Sequence, residues 1–70
     1  MLEPGDIVTM AWARKYPQYD SPRMIVVDVT GYYARAYCYY SGDMAHGWNH
    51  HHGRELVHIK VSDLIKVEPT

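Results

Sequence analysis

The sequence lacks several features that would place it in a familiar class. Its 70 residues include one cysteine and no long apolar run. A single cysteine excludes an intrachain disulfide, which fits a reducing compartment, and a membrane span needs roughly 20 apolar residues. The N-terminus also lacks the charged-then-apolar pattern of a secretion signal. We therefore expect a cytoplasmic protein that does not bind membranes.

The usual motifs of catalytic and metal sites are missing too. There is no Cys-x-x-Cys or His-Glu-x-x-His spacing, no glycine-rich phosphate loop and no pair of carboxylates spaced for acid–base chemistry. Cys38 falls on the predicted core face of a strand, where a free cysteine commonly acts as a small apolar residue. We expect no enzymatic activity, no cofactor and no small-molecule substrate.

An excess of charge of either sign is also absent. The formal net charge is −1, with acidic and basic residues interspersed, which argues against a strongly basic nucleic-acid binder but leaves room for a local patch. Phenylalanine is missing, whereas there are seven tyrosines and two tryptophans. Because Tyr and Trp combine an apolar body with a polar tip, they suit half-buried positions and contact surfaces.

Five short segments have the composition of β-strands, and turn-forming residues separate them. They are residues 7–10, 23–30, 34–40, 56–61 and 65–67. The second and third form an antiparallel hairpin around residues 30–33, and residues 62–64 form a tight 3₁₀-like turn that leaves Leu64 to close one end. The pattern predicts one all-β domain over residues 1–70, a small five-stranded antiparallel barrel without a helix of useful length.

The third segment organises this prediction because its two faces differ. Side chains of a strand alternate between faces. The small, apolar core face is predicted to hold Ala36, Cys38 and Tyr40. The outer face is predicted to hold Arg35, Tyr37 and Tyr39.

The second segment is apolar on both faces, which indicates a central or strongly bent strand. A bulge would let three of its apolar residues point inward: Met24, Val26 and Val29. Asp28 interrupts the apolar run, and if buried it needs a partner such as Arg23, Arg35 or a backbone N–H.

Two loops are longer than the usual connection between strands. The first covers residues 11–22, where Pro17 and Pro22 oppose a continuous helix. The second covers residues 42–53 and contains a run of histidines.

Four parts of the chain together resemble a known family. They are the opening Gly5-Asp6-Ile7-Val8, the run from Ser21 to Val26, the Cys38-Tyr39-Tyr40 step and the closing Leu64. They are similar to the YodC-like group of small uncharacterised bacterial proteins. The resemblance implies an SH3-like barrel and no settled activity. The first loop is longer than the family's usual connection, a different aromatic pair stands at Tyr39-Tyr40, and the His-rich loop has no counterpart there.

The leading prediction is a non-enzymatic module that binds a protein partner or a second copy of itself. Aromatic residues and arginine are enriched at interaction hot spots. The predicted surface combines the first loop with the outer face of the third strand: Trp12, Tyr16, Tyr19, Arg35, Tyr37, Tyr39 and Trp48. An edge strand offers β-augmentation as a mechanism.

Two alternatives remain open at this point. A nucleic-acid-binding barrel would use the same aromatic residues to stack bases, with cations at Arg14, Lys15, Arg35 and Arg54. A metal-responsive domain would use His50 and His52, because imidazole suits zinc, copper or nickel.

Overall fold

The computed structural model describes residues 1–42 and 55–67. Five strands make up this part of the chain: β1 (Ile7–Met10), β2 (Arg23–Thr30), β3 (Tyr33–Tyr40), β4 (Glu55–Lys60) and β5 (Leu64–Lys66). Two 3₁₀ turns accompany them, at Ala11–Arg14 after β1 and at Val61–Asp63 between β4 and β5. The predicted all-β class and the positions of the five strands are therefore confirmed.

All five strands lie in one antiparallel sheet in the order β4-β3-β2-β1-β5. The last strand returns to the first, so that β1 pairs with both β2 and β5. In the described part of the chain β4 and β5 do not pair, and the sheet is open rather than a closed barrel. The predicted five-stranded antiparallel barrel is thus confirmed as a five-stranded antiparallel sheet, but its closure is not seen in the described residues.

Buried side chains from every strand form a single core. Its members are Val8, Met10, Met24, Val26, Ala34, Ala36, Cys38, Val57, Ile59 and Leu64. On β3 and β4 they recur at every second residue, as half-buried strands require. Leu64 is buried as the first residue of β5, directly after the Val61–Asp63 turn.

The pairing of β2 with β3 contains two register shifts. One follows Val26, where Val27 is the extra residue on β2, and the other leaves Tyr39 as the extra residue on β3. A bulge reverses the alternation beyond it, because the next side chain falls on the opposite face.

The prediction that Tyr40 faces the core is wrong for this reason. After the shift at Tyr39, Tyr40 pairs with Arg23 and is 46% exposed. The predicted bulge in β2 does occur, and Met24 and Val26 are buried as expected. Val29 pairs with the buried Ala34, yet it lies near the end of the sheet and remains partly exposed.

The first loop begins as a 3₁₀ turn and continues as further turns. Backbone N–H groups of Lys15 and Tyr16 both bond the carbonyl of Trp12, and that of Tyr19 bonds the carbonyl of Tyr16. The loop is therefore ordered without a continuous helix, as its prolines predict. The His-rich loop falls outside the described residues.

Two glycines provide a matched test of the turn geometry. Gly42 has φ of +50°, and a Cβ there would lie 2.8 Å from backbone atoms of Asp20 and Ser21. Gly31, in the β2–β3 turn, has φ of +61° but no atom within 4 Å of such a Cβ. We expect Gly31→Ala to lower the free energy of unfolding by about 1 kcal/mol, for backbone strain alone.

For Gly42→Ala we expect a loss of at least about 2 kcal/mol, because backbone atoms must also move apart. Urea denaturation of both variants measures the two losses. Equal losses would show that the contact with residues 20–21 does not constrain the fold.

Candidate interaction surface

One row of side chains crosses the sheet on the side away from the core. Ile7 pairs with Ile25, Ile25 with Tyr37, and Tyr37 with Leu56. Because directly paired residues point to the same face, these four side chains form a continuous line over four strands. We call it the apolar row.

The apolar row is open to solvent over much of its length. Ile25 is 38% exposed, Tyr37 39% and Leu56 51%, whereas Ile7 is half-buried. Scattered apolar side chains are normal on a protein surface, but contiguous ones indicate an interaction site. The apolar row is therefore a candidate contact surface.

More exposed apolar and aromatic side chains occur on the strands that carry this row. Val27 is exposed at the bulge of β2, and Tyr39 and Tyr40 are exposed at the bulged end of β3. The second bulge thus adds a tyrosine to the exposed surface that simple alternation would have placed in the core.

A charged row runs beside the apolar row. Asp28 pairs with Arg35, and Arg35 pairs with His58 on β4. The guanidinium donates to the Asp28 carboxylate from Nε, at 2.9 and 3.1 Å, and from Nη2. These hydrogen bonds lower the pKa of Asp28, against the opposing effect of desolvation, and raise that of Arg35. Asp28 thus has one of the partners that the sequence predicted for it.

The aromatic residues of the first loop divide into an exposed pair and an inward-packed ring. Tyr16 and Tyr19 are exposed, with ring centroids 6.1 Å apart and planes tilted by 59°. The Lys15 ammonium lies 5.7 Å from the centroid of Tyr16, within cation–π range. Trp12 is half-buried and packs against the core beside Leu2 and Val61, so only part of its ring is available to a partner.

A side-chain hydrogen bond joins the end of the first loop to the end of β3. The Tyr40 hydroxyl donates to the Asp20 carboxylate. Gly42 also approaches the backbone of residues 20–21 closely. The loop that carries Tyr16 and Tyr19 is therefore anchored where β3 leaves the sheet, and it is not an independent arm.

Four predicted site residues lie outside the described part of the chain: Trp48, His50, His52 and Arg54. Within residues 1–42 and 55–67, no group of three or more His, Cys, Asp or Glu side chains is arranged to hold a metal ion. The metal prediction falls on residues that the structure does not describe, and it stays a prediction.

Three members of the apolar row, Ile7, Ile25 and Leu56, were not predicted as site residues. The signal for Ile25 was present, because the second strand is apolar on both faces and only one face can enter the core. Leu56 gave a weaker signal, since it stands at the start of its predicted segment, where alternation is least informative.

Comparisons with protein-family models, curated proteins and solved structures found no match to this chain. The resemblance to the YodC-like group therefore stays a prediction. Among the residues that the structure describes, no helix has the length and apolar character needed to cross a bilayer.

The pair between Asp28 and Arg35 generates a prediction about pH. The pKa of Asp28 lies below its ordinary value of 3.8 in the folded protein. The ionised pair therefore stabilises the fold above that value, and its contribution is lost as pH falls through the lowered pKa. We expect Asp28→Asn to reduce the difference in melting temperature between neutral pH and about pH 2.

Arg35→Gln should also reduce this pH-dependent difference in melting temperature. The double variant should show little further reduction, because either change removes the same interaction. Thermal melts over a pH series measure it. Additive effects of the two substitutions would show that the residues act independently.

Cys38 generates a second prediction, about thiol reactivity. Its side chain is fully buried, its Sγ donates to the Tyr40 carbonyl at 3.4 Å, and burial raises the pKa of the thiol. We expect an aromatic disulfide reagent to label it at least about 100-fold more slowly than free cysteine, because labelling requires opening of the fold. Labelling that is fast in native buffer and unchanged by denaturant would contradict this burial.

Proposed function

We propose that this protein is a small non-enzymatic interaction module that binds a protein partner, or a second copy of itself, through the outer face of its sheet. The observation that carries the proposal is the apolar row, in which Ile25, Tyr37 and Leu56 are exposed and Ile7 is half-buried, on the face opposite the core. Covering this row would remove apolar surface from water, which favours association.

The composition of the surroundings supports the same proposal. The centres of protein interfaces are rich in aromatic residues and arginine and poor in unpaired charge. Here tyrosines and one arginine surround the apolar row, and the arginine is already neutralised by Asp28. A partner that covers the row meets little net charge there.

We also propose that the open sheet belongs to the SH3-like class of small barrels. Support comes from the strand order, in which β5 returns to pair with β1, and from the bulges that bend β2 and β3. Bulges increase twist and let a sheet curl towards closure. The lone cysteine and the family resemblance favour the cytoplasm of a bacterial cell.

Nucleic-acid binding is the weaker proposal. Of its four cations, Arg35 is engaged by a carboxylate on the sheet and Lys15 lies against Tyr16. A phosphate backbone requires several free cations along one surface, and its binding falls steeply with added salt. Among the described cations, the arrangement therefore favours a protein partner.

The proposal is tested by one substitution in the apolar row and one matched substitution outside it. Tyr37→Lys puts a charge in the middle of the row, whereas Tyr32→Lys makes the same change in the exposed β2–β3 turn. Both side chains are solvent-exposed, so we expect changes in unfolding free energy within about 0.5 kcal/mol.

Light scattering over a concentration series and quantitative affinity purification from the source cell provide the readouts. We expect self-association, or a defined set of captured proteins, to be retained by Tyr32→Lys and lost in Tyr37→Lys. Equal retention by both variants would reject the apolar row as the binding surface. Capture that is removed by nuclease or by moderate salt would instead support the nucleic-acid proposal.

A further inference from the structure

A concave surface, separate from the apolar row, lies at the end of the sheet where the two 3₁₀ turns meet. It is a shallow cavity of about 320 Å³ that is widely open to solvent. Its walls come from the start of the chain, from the Ala11–Arg14 turn and from the segment that leads into β5. Its lining includes Leu2, Arg14, Val61, Leu64, Ile65 and Lys66.

The lining combines an apolar floor with cations. Leu2, Val61 and Leu64 are buried or half-buried and belong to the core or pack against it, which makes this part of the wall firm. Arg14 and Lys66 supply the charged groups. No carboxylate is among the lining residues of this cavity.

The two cations differ in how they are held. The Lys66 ammonium lies 3.4 Å from the Asp6 carboxylate, which is itself fixed by the backbone N–H of Glu3 at 2.8 Å. Lys66 is therefore oriented and partly neutralised. Arg14 has no ion pair with any described residue, so its guanidinium remains available to a ligand. Lining and charge together make a site with apolar walls and net positive character.

We propose that this cavity binds a small apolar carboxylate, with the carboxylate at Arg14 and Lys66 and the hydrocarbon body against Leu2, Val61 and Ile65. The guanidinium fork matches a carboxylate in a bidentate geometry that an ammonium does not offer. A volume of about 320 Å³ is at the lower end for ligand sites, which favours a compact branched acid over a larger ligand.

This site is separate from the apolar row and is proposed as a binding site, so it does not depend on the proposed function. The proposal does not conflict with the expectation of no small-molecule substrate, because the ligand is bound and not converted. The proposal adds a site that recognises both the charge and the apolar body of a ligand, at the end of the sheet where β5 pairs with β1.

Three probes separate the contributions to binding. The first is 4-methylpentanoate, which has both features. Its primary amide keeps the hydrocarbon body without the charge, and acetate keeps the charge with almost no body. Amide chemical shifts in ¹H–¹⁵N spectra, followed during titration, report both the affinity and the place of binding.

We expect saturable shifts at Leu2, Val61 and Ile65 with 4-methylpentanoate, and weaker binding of the amide and of acetate. Arg14→Gln should lower the affinity for 4-methylpentanoate by about threefold or more, since an exposed ion pair contributes modestly to binding. Lys15→Gln removes the same charge from the next residue, which does not line the cavity, and should leave the affinity unchanged.

Several outcomes would overturn the proposal. Equal binding of acetate and 4-methylpentanoate would show adventitious anion binding only, and equal binding of the amide would exclude the role of Arg14. Equal weakening by Arg14→Gln and Lys15→Gln would show a nonspecific effect of charge. An absence of saturable shifts at the cavity would reject the site. None of these results affects the test of the apolar row with Tyr37→Lys.

Discussion

The pairing between β2 and β3 is the constraint on which the rest of the structure depends. These are the two longest strands, and half of the buried apolar core comes from them: Met24, Val26, Ala34, Ala36 and Cys38. A register slip by one residue would exchange the two faces of a strand. The same pairing places Ile25 beside Tyr37, so it determines both which residues form the core and which form the apolar row.

Strand β3 has small residues inside and large ones outside. Its buried face carries only Ala34, Ala36 and Cys38. Arg35 and Tyr37 project from the opposite face. The usual distribution places large aromatic area in the interior, because aromatic residues contribute much of a core's burial. In a 70-residue chain with a small core, the arrangement of β3 leaves part of the aromatic area of Tyr37 exposed to solvent.

The sequence predicted more of the strands than of the surface. Period-two alternation correctly placed Ala36 and Cys38 inside, because it depends only on local geometry. It failed at Tyr40, since nothing in Tyr37-Cys38-Tyr39-Tyr40 marks which residue is the extra one in a bulge. The apolar row was missed for a related reason, because Leu56 joins Tyr37 through the register between β3 and β4, which no single strand reveals.

Under the proposed function, the charged row gives the outer face a means of selecting a partner. An apolar row alone associates with many surfaces, so discrimination requires directional groups beside it. The hydrogen bonds to Asp28 use Nε and Nη2 of Arg35, and they fix the guanidinium plane before any partner arrives. Fixing a long side chain in advance reduces the entropy lost on binding. Because guanidinium has five N–H donors, others stay available to a partner's carbonyl or carboxylate. Under the proposed function, the ion pair cancels the charge of Arg35 and fixes its plane, so that Arg35 offers a protein partner hydrogen-bond donors without net charge.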